Sequence, residues 1–313
     1  MITTLTPNPC IDKTLATEKF DLYKMNRVRV LRSDFGGKGI NVSSALKNLG
    51  AETCCLGFSF SEDDAALHDF MKARAIPCAF VTLPGKMRTC YKIFDESLHH
   101  TIEINEYGSE IDAEAGEKLL SLLAEKAAAS SFVTLSGSLP KGLSDDFYLR
   151  CIRAVKRSAP ACRIVLDAEK QVLLKALEGR PSILKPNIHE FQDTFGCSVH
   201  SLKQLNAEAK KILAHYGLEI LCVSLGAEGA YITDGRESWH CRAPKVEVRS
   251  IQGAGDSVVA GMCLAMERGK TLPEILRYGV AAAGDSISRE GTQLCTAEGM
   301  KKLLEQDIGL ERL

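Results

Sequence analysis

The chain has 12 cysteines in 313 residues but no Cys-x-x-C pair and no Cys/His group at zinc spacing. That pattern argues against a thioredoxin-like or zinc-ribbon use of the thiols. Many lie in apolar runs such as Leu221-Cys222-Val223, as expected of free buried thiols in a reducing cytosol. Net charge is also scarce, at -1, and the Lys and Arg residues are scattered rather than striped. No nucleic-acid partner is expected, while a small anionic substrate would need only a local positive pocket. No apolar run approaches membrane-spanning length, so no membrane partner is expected either. The N-terminal stretch Met1 to Pro7 lacks a basic leader and reads as a strand rather than a signal peptide. Low-complexity linkers and internal repeats are missing as well. What remains is an ordinary globular composition, 45% hydrophobic and 25% charged. The length permits one large α/β domain or two smaller ones.

Short β-like runs alternate with helical patterns. Ile2–Thr6, Thr53–Phe58, Phe132–Ser136, Arg163–Asp167, Ser182–Lys185 and Ile220–Leu225 are expected core strands. Between them, amphipathic periodicity predicts helices near Ile40–Leu49, Asp64–Arg74, Ala113–Ala129, Ser144–Lys156 and Leu202–Tyr216. This alternation predicts a mostly parallel sheet with helices on both faces. Phe20–Phe35 and Arg88–Asn105 break the pattern. They read as half-exposed antiparallel ribbons, forming either a small β flap or an edge extension of the main sheet.

Five segments carry chemistry. Gly36-Gly37-Lys38-Gly39-Ile40-Asn41 puts glycines, a cation and an amide at a helix start, where free N–H groups meet ligands. It is not a Walker A loop, because G-x-x-x-x-G-K-[ST] is absent; a tight turn into a helix is the plain alternative. Gly253-Ala254-Gly255-Asp256-Ser257 follows a strand-like Lys245–Ile251 and opens an apolar helix. Its amides suit developing phosphoryl charge, with Asp256 either a general base or a helix cap. A dinucleotide fingerprint fails there, because Val258 occupies its last glycine position. Lys185-Pro186-Asn187-Ile188-His189-Glu190 places Asn187 and Glu190 on one helix face, able to order Mg²⁺ waters or to form a capping box. Ser224-Leu225-Gly226-Ala227-Glu228-Gly229 is a nucleotide-contacting turn or a hairpin turn. Asp12 follows the first strand, where open α/β sheets bind ligands, and Arg88 opens a flap strand. Each is a sugar-site group or a solvated charge.

In this order, from Thr6 to about Gln293, these segments resemble the ribokinase-like, or PfkB, family of carbohydrate kinases. Gly36–Asn41 is similar to its first signature and Gly253–Asp256 to its second. Ser136-Gly137-Ser138-Leu139-Pro140, Glu103-Ile104-Asn105 and Arg88-Thr89 look like its phosphosugar branch. The resemblance implies one kinase domain over residues 1–313, a three-layer α/β sandwich with a β lid built from about 13–35 and 88–105. It implies Asp256 as base with Gly253, Ala254 and Gly255 as an anion hole. Asp12, Gly37, Lys38, Asn41, Arg88, Lys92, Asn105 and Ser138 would hold the phosphosugar. Lys185, Asn187, Glu190, Ser224, Leu225, Gly226, Ala227, Glu228 and Gly229 would serve ATP, with Glu190 reaching Mg²⁺ through water. A cytoplasmic homodimer joined through the lid is expected. Two departures stand out: Ser250-Ile251-Gln252 replaces the usual Thr-Val before the glycines, and Cys90 stands where phosphosugar members commonly carry Asn.

The expected reaction is in-line transfer of the ATP γ-phosphoryl to a primary hydroxyl of a phosphorylated ketohexose, fructose 1-phosphate before tagatose 6-phosphate. A nucleoside kinase or a non-catalytic sugar-phosphate sensor are the rivals; a sensor has no use for a base.

Overall fold

A computed structural model describes residues 1–291, 293–306 and 308–313. The chain runs β1 (Ile2–Thr6), β2 (Cys10–Thr17), β3 (Arg29–Gly36), α1 (Lys38–Asn48), β4 (Thr53–Phe60), α2 (Asp64–Ala73), β5 (Cys78–Leu83), β6 (Arg88–Asp95), β7 (His100–Asn105) and α3 (Ala113–Ala127). It continues through β8 (Phe132–Ser136), α4 (Phe147–Ser158), β9 (Arg163–Asp167), α5 (Lys170–Leu177), β10 (Ile183–Leu184), α6 (Ile188–Phe195) and α7 (Leu202–Tyr216). The last part holds β11 (Ile220–Ser224), β12 (Ala230–Thr233), β13 (Ser238–Cys241), α8 (Ala254–Glu267), α9 (Leu272–Ile287), α10 (Ala297–Leu304) and β14 (Leu310–Arg312).

A ten-stranded sheet has the order β14-β13-β12-β11-β10-β9-β8-β1-β4-β5. The strands from β11 to β5 pair in parallel, and β12, β13 and β14 extend the sheet in antiparallel fashion. Side chains alternate across a strand, so each strand feeds two cores. Leu166, Leu184 and Leu221 enter one cluster, shared with Leu119 of α3, Phe147 and Ile152 of α4 and Ile212 of α7. Val165, Ile183 and Ile220 enter the other, shared with Leu46 of α1, Val259 of α8 and Val280 of α9. This is the three-layer α/β sandwich that the strand–helix alternation predicts.

The second sheet has four strands in the order β3-β2-β6-β7. Its outer pairs are antiparallel, but β2 and β6, at its centre, run parallel. The two expected ribbons are thus joined by a parallel seam. Of the stretch Phe20–Phe35 only the part from Arg29 onward is strand, belonging to β3, which runs on to Gly36. The strand expected at Lys245–Ile251 does not form. That segment is irregular and lies against the end of α9, where Arg249 N and Ser250 N both donate to Ile287 O. Of its alternating apolar residues only Val246 packs on the helical core, while Val248 and Ile251 stay exposed.

Candidate active site

Residues from distant parts of the chain meet at the carboxyl ends of the parallel strands, where open α/β sheets bind ligands. Asp256 sits in the first turn of α8 and is buried. It does not cap the helix: Gly253, at φ 68°, holds the N-cap position and no side chain caps it. The left-handed conformation there favours glycine. The first-turn amides of α8 are therefore left for a ligand. Asp256 Oδ2 instead accepts from Asn41 Nδ2 at 2.8 Å. Burial pushes its carboxyl up from an ordinary 3.8 to about 6, against the opposing pull of Lys38.

Lys38 and Lys185 share one carboxylate. Lys38 Nζ donates to Asp167 Oδ1 at 3.3 Å, and Lys185 Nζ lies 3.4 Å from the same oxygen. Burial opposes charge on Lys38, but Asp167, Asp256 and Glu190 outweigh it and hold the ammonium above its ordinary range. Burial likewise opposes charge on Asp167, and the two lysines outweigh it, so its carboxyl is lowered. A Cβ placed on Gly255 would lie 3.6 Å from Lys185 Nζ, so this ammonium stands beside the glycine turn. Sequence reasoning passed over Asp167. The available signal was an acidic residue ending an apolar strand, with Lys185 at the end of the next.

A cavity of about 130 Å³ adjoins this cluster, lined by Thr6, Asn8, Lys38, Arg88, Ser138 and Glu169, with Ser136 and Gly137. Three of its buried polar atoms, Thr6 Oγ1, Ser136 Oγ and Arg88 Nε, have no hydrogen-bond partner. Buried polar groups are rarely left so, and three in one recess mark a ligand position. Arg88 Nη2 donates to Asn8 O at 3.3 Å, and Asn8 Nδ2 donates to Ser138 Oγ at 3.2 Å. Gly37, at φ 117°, lets α1 start against β1; a Cβ there would meet Thr6 Cγ2 at 2.6 Å.

The small sheet contributes Asp12, paired with Lys92 at 3.1 Å between their charged atoms. Both side chains are largely buried. The Cys10 and Cys90 thiols influence each other, and their interaction pulls the Cys90 thiol down and pushes Cys10 up. Asn105 ends β7 opposite Cys90 and is exposed.

On the other side, Asn187 and Glu190 form a full capping box at the start of α6. Asn187 N donates to Glu190 Oε2 at 2.8 Å, and Glu190 N donates to Asn187 Oδ1 at 2.9 Å. Asn187 also bridges to Ser224. Gly226–Glu228 form a short 3₁₀ turn between β11 and β12, closed by Leu225 N donating to Gly229 O at 2.8 Å. This turn is a hairpin connection between β11 and β12, and the bridge from Ser224 to Asn187 ties it to the start of α6.

The sequence matches the pfkB family carbohydrate kinase over residues 6–298. It is 32% identical to a 1-phosphofructokinase of Borreliella burgdorferi, over 98% of this chain and 97% of that protein. It is 31% identical to a tagatose-6-phosphate kinase of Staphylococcus epidermidis, over 88% and 89%. Its fold superposes on phosphofructokinase-2 of Escherichia coli, solved with potassium, with a TM-score of 0.90 at 25% identity over 97% of both chains. No helix among the described residues is long and apolar enough to cross a membrane. The chain belongs to the pfkB family of carbohydrate kinases.

Proposed function

We propose that the protein transfers the γ-phosphoryl group of ATP to the free primary hydroxyl of fructose 1-phosphate, giving fructose 1,6-bisphosphate. The observation that carries this reading is the recess beside Lys38 in which three buried polar atoms, Arg88 Nε, Thr6 Oγ1 and Ser136 Oγ, lack partners. A guanidinium and hydroxyls in a small enclosed space suit a phosphate that is bound but not transferred. With that phosphate fixed, the far hydroxymethyl group of a ketohexose reaches toward Asp256.

Asp256 then takes the hydroxyl proton as the new O–P bond forms. Its raised pKa leaves it mostly ionised at neutral pH yet basic enough to accept. Asn41 fixes the carboxylate, the first-turn amides of α8 face the developing charge, and Lys38 and Lys185 hold positive charge beside it. Asp12 bonds sugar hydroxyls. Asn187, Glu190 and the Ser224–Gly229 turn receive the nucleotide.

The site fits the divalent cation that accompanies ATP. Asp167 Oδ2 is buried without a partner, and Glu190 stands close enough to influence Lys38. Hard oxygen donors of this kind match Mg²⁺ held largely through water. Bound there, the ion would neutralise phosphate charge.

The four-stranded sheet serves as the lid of a single kinase unit and excludes water from the transfer. Val30 and Leu31 are exposed on its edge strand, as are Leu22, Tyr23 and Met25 in the loop before that strand, and this apolar surface is where two subunits would pair.

Tagatose 6-phosphate is the second reading, favoured by the relative from Staphylococcus epidermidis. An ADP-release assay on fructose 1-phosphate, tagatose 6-phosphate and fructose 6-phosphate decides between them. The expected result is the highest kcat/KM for fructose 1-phosphate. A clear preference for tagatose 6-phosphate overturns the acceptor, and no ADP release with any of the three overturns the reaction.

A further inference from the structure

We propose that Cys10, Cys90 and Asp12 form a binding site for a thiophilic divalent cation such as Zn²⁺, set in the small sheet beside the sugar recess. The three are far apart in sequence and meet through the parallel seam. Cys10 lies opposite Arg88 there, Asp12 opposite Cys90, and Thr14 opposite Lys92. Alternation puts residues 10 and 12 on the same face as 88, 90 and 92. The two sulfurs and an Asp12 carboxylate oxygen all lie within 4.8 Å of one another. Ligands of a tetrahedral zinc ion, with Zn–S near 2.3 Å and Zn–O near 2.1 Å, are separated by roughly 3.5–3.8 Å. The observed spacing exceeds this by about 1 Å at most, a difference that side-chain rotation would have to close. Among the described residues, no other group of Cys, His or carboxylates is so arranged.

Space and charge agree. Gly36 faces the trio: a Cβ there would lie 2.2 Å from Asp12 Oδ2 and 3.4 Å from Cys10 Sγ. The missing side chain at residue 36 is what makes room for the Asp12 carboxylate beside Cys10. Binding releases the two thiol protons to solvent, and both thiolates and the carboxylate then donate electron pairs to the ion. The three ligand charges and the dication leave one negative charge, next to Lys92 and Arg88. Lys92 already neutralises Asp12 at 3.1 Å, so the ion displaces this ammonium rather than rescuing a lone carboxylate. Three protein ligands leave one coordination position for water.

The consequence for turnover rests on Asp12 as a sugar partner: an ion on Asp12 and a sugar on Asp12 exclude each other. Binding and competition are therefore read separately. Co²⁺ is titrated into the full chain with a phosphine reductant present, which keeps both thiols reduced. One equivalent should bind with a thiolate-to-cobalt charge-transfer band and release two protons into weak buffer. Cys10→Ala and Cys90→Ala, checked for folding by circular dichroism, should each weaken binding by at least about 100-fold, more than loss of an outer-shell partner costs. No thiolate band in the wild type, or a band that persists in the double variant, overturns the site. If the variants do not fold, zinc X-ray absorption on the wild type decides: two sulfurs in the coordination shell support the site, and any other number overturns it. In kinetics, Zn²⁺ should raise KM for the phosphosugar and leave KM for ATP unchanged. A thiolate band without competition supports the cation site and removes Asp12 from the sugar reading.

Discussion

Asn41 Nδ2 donates to Asp256 Oδ2 across 2.8 Å, tying α1 to α8 over 215 residues of sequence. The amide fixes one carboxylate oxygen and leaves the other to act. Both helices begin at glycine turns, so the contact also fixes how far apart those two turns stand.

Asp256→Asn should leave binding of ATP and phosphosugar within a few fold and lower kcat by roughly 10²–10⁴, the usual contribution of a positioned base. Near-normal turnover in the folded variant would remove the base assignment. The same variant has a stability signature. The folded pKa of Asp256 is raised, so the fold favours its neutral form. Below the ordinary 3.8 that carboxyl is neutral in both states and makes no difference. As pH rises through about 6 the ionised, buried form becomes a cost, of order 3 kcal/mol by the energy equivalent of two pK units. The Tm of Asp256→Asn should therefore exceed that of the wild type at pH 8 and approach it at pH 4.

The pH profile of kcat/KM should show an acidic limb near 6, with activity rising as Asp256 loses its proton. A limb that stays in place in Asn41→Ala would show that another group sets it. Removing the amide donor takes away a bond to the ionised form, so the limb should move to higher pH.

Arg88→Ala should raise KM for the phosphosugar by roughly 10–100-fold, the worth of a charge-assisted hydrogen bond. KM for ATP should barely change, because Arg88 lines the recess away from the capping box of α6. Steady-state kinetics with each substrate varied in turn checks this. Equal rises in both KM values would point to a collapsed fold rather than a lost phosphate contact.

The small sheet leaves Val30 66% exposed and Leu31 53% exposed on its edge strand, beside Tyr23 at 94%. Exposed apolar edges promote association. Sedimentation at micromolar concentration should give a dimer, and Val30→Lys with Leu31→Lys should give a monomer. A monomeric wild type would show that this face serves no partner subunit.

Much of the central sheet was legible in the sequence. Ile2–Thr6, Phe132–Ser136 and Arg163–Asp167 are short apolar runs between polar turns, and they form strands at those bounds. The helix expected at Leu202–Tyr216 likewise forms there, closed by Gly217. Lys245–Ile251 shows the same alternation without a strand, because the end of α9 takes its amides, Arg249 N and Ser250 N both donating to Ile287 O. The helices α9 and α10 were not anticipated; their apolar stripes follow no strand and break the alternation used to place the others. Of the site, Lys38, Asn41, Lys185 and Asp256 stood out beside glycines, prolines and helix starts. Asp167 did not, because its importance lies in two lysines that only the fold delivers. The closeness of Cys10 and Cys90 was equally hidden, since it depends on a parallel register between strands separated by 80 positions.

The chain crosses between the two sheets four times, at residues 7–9, 37, 84–87 and 106–112. Three of these crossings carry or adjoin groups of the sugar recess: Asn8 between two prolines, Gly37, and Arg88 at the end of the third. Prolines fix φ and leave few soft torsions, so the first crossing is a stiff hinge. Asn8 links both sides of this joint, accepting from Arg88 Nη2 through its carbonyl and donating to Ser138 Oγ through its side chain. The recess is thus a seam between two sheets rather than a hollow in one, and its shape is set by how the short crossings hold them together.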